Sequence, residues 1–210
     1  MKRITTKDNS ITFYNEKAEE WYHSKTGAIE ESFEKYVKPS KIKDGYKILD
    51  ICFGIGYNSL AALHTADVEI VALEKDERII QKIPTITLPP EYKHLEKEFA
   101  VIKNLARDKE HWSKNNQNIK IILGDARINI KQLKQNSFDA VFLDPFSPKK
   151  QPELWTYEFF TDIKKVMKKG AILTTYSCAR IVRENLTKAG FIVKDGPCIG
   201  RRAPSTIAFA

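Results

Sequence analysis

The chain has 210 residues, 42% of them hydrophobic and 30% charged, with nine glycines and nine prolines. That balance excludes disordered, collagenous and membrane-spanning classes, and the length fits one domain whose core needs no covalent staples. Lysine and arginine outnumber aspartate and glutamate by 35 to 27, a net charge of +8 that favours polyanionic partners.

The three cysteines, Cys52, Cys178 and Cys198, are far apart and lack ligand spacing, and His23, His64, His94 and His111 are scattered. Neither a disulfide framework nor a metal site is expected. No apolar segment follows the charged N-terminus and no run reaches the length of a membrane span, so the expected setting is the reducing cytoplasm, away from membranes.

Residues 1–45 read as an N-terminal extension packed on the core, with Asp8-Asn9-Ser10 as a turn. Thr26 is placed to cap a helix whose Ile29, Phe33 and Val37 share one face before Pro39 stops it. Residues 46–210 read as the main domain. Apolar β-branched runs at 46–53, 68–73, 119–123, 138–143, 171–176 and 191–193 predict strands. Between them, Leu95, Phe99, Ile102 and Leu105 form a helical stripe within 84–118. Thr156 caps a helix through Phe159, Phe160, Ile163 and Met167, with Gly170 suited to its left-handed end. A last helix, 179–189, ends at Gly190, and 206–209 closes a terminal hairpin. Seven strands alternating with helices imply an α/β fold: a mostly parallel sheet covered on both faces, with an antiparallel C-terminal hairpin.

The chemistry-bearing residues follow the strands. After the first comes Gly54-Ile-Gly56-Tyr-Asn58, where glycines allow a ligand close to the backbone. Glu74 ends the second strand, placed to accept hydrogen bonds from ribose hydroxyls. Asp125, with Ala126 beside it, follows the third, placed to accept from an adenine amino group. Each acid alone is also an ordinary cap or turn residue. Together they match the S-adenosylmethionine site of class I methyltransferases. The fourth strand ends in Asp144-Pro-Phe146-Ser-Pro148-Lys149-Lys150, followed by Trp155, which reads as a core anchor. Asp144 at this edge is suited to orienting an amine nucleophile and receiving its proton. Lys149, Lys150, Arg201 and Arg202 are candidates for phosphate contacts, and Phe146 or Tyr57 for stacking on a base.

Over nearly its whole length the chain resembles the MnmC-like methyltransferase family. The N-terminal signature is similar to Ile11-Thr-Phe-Tyr14-Asn15-Glu16 and to Tyr22-His23-Ser24 with Gly27-Ala28-Ile29-Glu30-Glu31-Ser32. The cofactor loop matches Phe53-Gly54-Ile-Gly56-Tyr-Asn58-Ser-Leu60. The active-site motif matches Asp144-Pro-Phe146-Ser-Pro148-Lys-Lys-Gln151-Pro152-Glu-Leu-Trp155, with Gln151 replacing the usual Asn. Gly200-Arg201-Arg202 resembles a late Gly-Arg element. The loop also departs at Ile51-Cys52 and at Ile55-Gly56-Tyr57. The resemblance implies S-adenosylmethionine-dependent N-methylation of the 5-aminomethyl group of (2-thio)uridine at the tRNA wobble position. Asp144 matches the family's catalytic aspartate, and Glu74 and Asp125 its cofactor acids. Some relatives are fused to a flavin-dependent oxidase. This chain resembles the stand-alone form, to which other enzymes would supply aminomethyluridine.

Other readings stand beside this one. They are methylation of another exocyclic or side-chain amine, aminopropyl transfer to a polyamine, which the net charge disfavours, and a non-catalytic tRNA-binding module.

Overall fold

A computed structural model describes residues 1–108, 111–114, 117–200 and 202–210. Strands β1 (Arg3–Thr5), β2 (Ile11–Asn15) and β3 (Glu20–Trp21) form a small antiparallel sheet. The main sheet contains β4 (Lys47–Ile51), β5 (Glu69–Glu74), β6 (His111–Lys114), β7 (Gln117–Leu123), β8 (Phe138–Leu143), β9 (Met167–Thr175), β10 (Ile192–Asp195) and β11 (Thr206–Phe209). Their order is β10-β11-β9-β8-β4-β5-β7-β6. Strands β4, β5, β7, β8 and β9 are parallel, and β11 runs antiparallel to both β9 and β10. This is the class I methyltransferase arrangement expected from the sequence. The seven strands read there are present, and β6 adds an eighth, antiparallel to β7. Its sequence, His-Trp-Ser-Lys, has no alternating apolar pattern and gave no strand signal.

The chain order reverses at β4, whose neighbours are β5 and β8, so a crevice opens beyond the carboxyl ends of these strands. One face of the sheet buries Ile48, Ile70, Ala140 and Phe142 against the helices Tyr57–Thr65 and Glu96–Asp108 and against Ile11, Phe13, Ile29 and Tyr36 of the N-terminal segment. The other buries Leu49, Ile51, Val71 and Leu143 against Phe159, Phe160, Ile163, Val182 and Leu186. Each buried Ile, Leu, Val or Phe side chain among these contributes roughly 1.5–3 kcal/mol. The N-terminal segment is thereby part of the core on the first face.

Local chemistry departs from the sequence reading in several places. The helical run 28–40 starts after Gly27, and Thr26 does not cap it, its hydroxyl bonding Ser24 at 2.6 Å. The free N–H groups are instead satisfied from the turn at residues 8–10: Ala28 N donates to Ser10 Oγ (3.1 Å) and Glu30 N to Asp8 (3.1 Å). Residues Ser32–Val37 form a π-helix, with Lys38 N bonded to Phe33 O. Within it Tyr36 is buried and Phe33 only partly so. Pro39 does not stop the helix, which continues to Ser40 and ends at left-handed Lys41. Gly170 is not the helix end expected. Helix Tyr157–Val166 passes directly into β9, and Gly170 (φ +78°) lies inside that strand where the β8–β9 register shifts. Thr156 does cap that helix, accepting from Phe159 N at 3.2 Å.

Candidate functional site

A cavity of about 310 Å³ opens at the carboxyl edge of β4, β5, β7 and β8. Its walls include Gly54, Glu74, Asp125, Ala126, Asp144 and Phe146, and the N-terminal segment closes it with Glu20, Trp21, Tyr22 and His23. The three carboxylates from three different strand ends therefore face one space. Gly56 and Asn58 stand behind the wall: Gly56 (φ +84°) turns the chain into the helix Tyr57–Thr65, and a side chain there would collide with the Phe53 ring. Gly54 (φ +56°) is on the wall, and a Cβ there would project towards Tyr22 and His23, so its absence leaves that space open.

Glu74 is buried and accepts three backbone hydrogen bonds, from Gly54 N (2.8 Å), Lys75 N (2.8 Å) and Asp76 N (2.7 Å). Burial raises its pKa against the pull of these donors. A carboxylate offers about four lone-pair sites, so three bonds leave it one more to give. Asp125 accepts from Arg127 N (3.0 Å) and from the Arg127 guanidinium (3.0 and 2.6 Å), which holds its carboxyl far below the usual range. It is thus both a cap of the helix Ala126–Asn129 and a cavity residue.

Asp144 is gripped from two sides. Tyr36 Oη donates to Oδ1 at 2.5 Å and Asn58 Nδ2 to Oδ2 at 3.0 Å. Burial, reinforced by Glu31 and Asp50, pushes the carboxyl up to about 7 although both donors favour its anion. Asp50 beneath it is wholly buried. Its Oδ2 accepts from Ser59 Oγ (2.6 Å), its Oδ1 has no partner, and burial lifts its pKa to about 7 as well.

The loop after Asp144 is pinned along its length. Tyr176 Oη donates to Pro145 O (3.0 Å), Trp155 Nε1 to Phe146 O (2.8 Å), and Phe146 N to Gln151 Oε1 (3.0 Å). Gln151 thus closes the turn that presents Phe146, whose ring packs on Tyr22 at 5.1 Å between centroids. Trp155 is a core anchor, as expected. Tyr57 is not available for stacking: it is buried and its hydroxyl donates to Ile11 O. Lys149 and Arg202 are exposed, Lys150 is exposed but ion-paired to Glu19, and Arg201 lies outside the described residues.

Sequence reading missed Tyr36, Glu31 and Tyr176. Tyr36 shares the face of Ile29, Phe33 and Val37, seven residues after Ile29, and reads there as core; nothing local marks its hydroxyl as the partner of Asp144. The cavity also corrects an inference from net charge. Glu20, Glu31, Glu74, Asp125, Asp144 and Glu153 line it, against Lys35 and Lys75. The overall charge of +8 therefore says nothing against a cationic ligand at this point. Among the described residues no group of His, Cys, Asp or Glu is arranged to hold a metal, and no helix is long and apolar enough to cross a membrane.

Residues 90–210 match the model of a family described as S-adenosyl-L-methionine-dependent methyltransferase. The crystal structure of MNMC2 from Aquifex aeolicus superposes with a TM-score of 0.85 at 34% identity, covering 99% of this chain and 69% of that one. An uncharacterized protein of Methanocaldococcus jannaschii, MJ0670, is 35% identical over 98% of this chain and 58% of its own length. The tRNA 5-methylaminomethyl-2-thiouridine biosynthesis bifunctional protein MnmC of Leptospira interrogans is 28% identical over 95% of this chain. The chain spans 58% of the first of these two curated relatives and 34% of the second. The chain belongs to the S-adenosyl-L-methionine-dependent methyltransferases, in the MnmC-like group that includes MNMC2 from Aquifex aeolicus.

Proposed function

We propose that this protein methylates the nitrogen of a 5-aminomethyl group on (2-thio)uridine at the tRNA wobble position, in the cytoplasm, on a nucleoside supplied by other tRNA-modifying enzymes. The observation that carries the reading is the convergence of Gly54, Glu74, Asp125 and Asp144 on one cavity, in a chain aligned over 99% of its length with MNMC2.

The wall fits S-adenosylmethionine. The bare Gly54 backbone leaves room beside Tyr22 and His23, Glu74 keeps one acceptor site, and Asp125 and Ala126 line the cavity just beyond the neighbouring strand β7. These residues would hold the cofactor, with Gly56 shaping the loop and Asn58 acting through Asp144. When bound, the cofactor supplies an electrophilic methyl group on sulfonium.

Asp144 does the chain's own work in the transfer. Its carboxylate accepts from the amine N–H groups, directs the lone pair and receives the proton released on N-alkylation. A carboxyl near pH 7 is matched to that exchange. Phe146 offers a ring beside Asp144 for the uracil, and Lys149, Arg202 and, by position in the sequence, Arg201 would meet phosphates. Lys150 would do so after releasing Glu19.

The test is methyl transfer from labelled S-adenosylmethionine to tRNA carrying aminomethyl-2-thiouridine, read by nucleoside mass spectrometry. A new methylaminomethyl nucleoside is expected. Transfer to short DNA or protein amines but not to tRNA would move the assignment to another amine, and RNA binding without transfer would make the chain a binding module.

A further inference from the structure

Among the described residues, the two hydrogen bonds to the Asp144 carboxylate come from the helical segments of the first face, from Tyr36 and Asn58. Tyr36 is fully buried in the π-helical segment and gives its only hydroxyl proton to Oδ1. Asn58, also buried, gives one amide proton to Oδ2, and its own Oδ1 has no partner. Each carboxylate oxygen thus has one lone-pair site occupied and one left. The two remaining sites lie in a plane set by protein groups, and Asp144 is on the cavity wall.

We infer that Tyr36, with Asn58, is a positioning residue for methyl transfer: it fixes the Asp144 carboxylate so that both oxygens present a free acceptor site to the substrate nitrogen, and it holds Asp144 as the anion. The inference rests on Asp144 being the residue that receives the amine. Tyr36 lies within the π-helical turn Ser32–Val37, in which Lys38 N bonds Phe33 O. π-Helical segments frequently occur at functional sites.

The pH behaviour follows from the groups around Asp144. Glu31 acts on it from the helical run, Asp50 from β4, Cys52 from just beyond β4 and Asn58 from the helix Tyr57–Thr65, and Lys35 and Tyr176 share its cavity wall. Glu31 and Asp50 disfavour the anion, whereas Tyr36 and Asn58 favour it. Removing the Tyr36 hydroxyl must therefore raise the pH at which Asp144 becomes the anion, by about one unit for a charge-assisted bond.

The experiment compares wild type, Tyr36→Phe, Asn58→Ala and Asp144→Ala on aminomethyluridine tRNA. It records pH profiles of kcat and, separately, cofactor affinity by calorimetry. Tyr36→Phe is expected to move the acidic limb of kcat upward by about one unit, to cost roughly tenfold below that limb, to converge on wild type above it, and to leave cofactor affinity unchanged. Asn58→Ala should move the limb the same way, which keeps the test usable if Tyr36→Phe is poorly folded. An inactive Asp144→Ala with limbs unmoved in both other variants overturns the positioning role alone. Retained turnover in Asp144→Ala overturns the reading on which it rests.

Discussion

The carboxylate of Glu20 accepts two hydrogen bonds from Ser147, one from the backbone N–H at 2.7 Å and one from the hydroxyl, across 127 positions of sequence. It ties the small N-terminal sheet to the loop that carries Asp144 and Phe146. Tyr176, Trp155 and Gln151 restrain the loop from the second half of the chain, and the Lys150–Glu19 ion pair and the Tyr22–Phe146 ring contact from the N-terminal segment. Glu20 adds to these the hydrogen bonds that hold the loop backbone at Ser147 to the N-terminal segment. Glu20→Ala is expected to lower turnover by roughly 10- to 100-fold, the scale of an ångström-level misplacement, with melting temperature changed little. Steady-state kinetics beside a thermal melt checks it.

The proposed function gives Asp144 and Glu74 different duties. Asp144→Ala should keep cofactor binding and lose most turnover. Glu74→Ala should weaken cofactor binding first, and it should also loosen the loop, because Gly54 N, Lys75 N and Asp76 N lose their acceptor. Calorimetry with S-adenosylmethionine alongside single-turnover rates separates the two, and the opposite assignment of effects would mean the roles are exchanged.

Asp50 is wholly buried, with a carboxyl raised to about 7 from an ordinary 3.8. The folded state therefore binds the proton more tightly than the unfolded chain. Its favourable contribution is complete below about pH 4 and is lost as pH rises through about 7. Asp50→Asn removes that dependence. Its stability relative to wild type should rise between about pH 5 and about pH 8, by on the order of 2 kcal/mol, measured by chemical denaturation at the two pH values.

Gly56 sits at φ +84° against the Phe53 ring. Gly56→Ala is expected to destabilise the protein by roughly 1–3 kcal/mol, through backbone strain and the clash, and to displace the cofactor loop. Gly45, at a similar φ of +80° with open space around it, is the control: Gly45→Ala should cost less. Denaturant titrations of both variants decide it.

Lys149 and Arg202 are exposed, and their replacement by Ala should weaken RNA binding uniformly across sequences and reduce the salt slope by about one each. Lys150→Ala should do less, because its ammonium already pairs with Glu19. Filter binding over a range of salt concentrations is the measurement.

The strands at Ile48, Ile70, Val141 and Leu173 were legible because a parallel sheet buried on both faces writes continuous apolar runs. The carboxylates Glu74, Asp125 and Asp144 were legible because each ends such a run, and strand ends meet at one edge. β6 was not, since an edge strand with one neighbour needs little apolar pattern. Tyr36 and Asn58 stand 108 and 86 positions from Asp144, and no local rule of propensity or spacing joins them. Sequence alone thus determined the parallel strands and the strand-end acids that reach the crevice, because hydrophobic periodicity is a local property. Tertiary structure decided which groups grip those acids and how their protons are held, because burial and hydrogen-bond geometry depend on what folds against them from elsewhere in the chain.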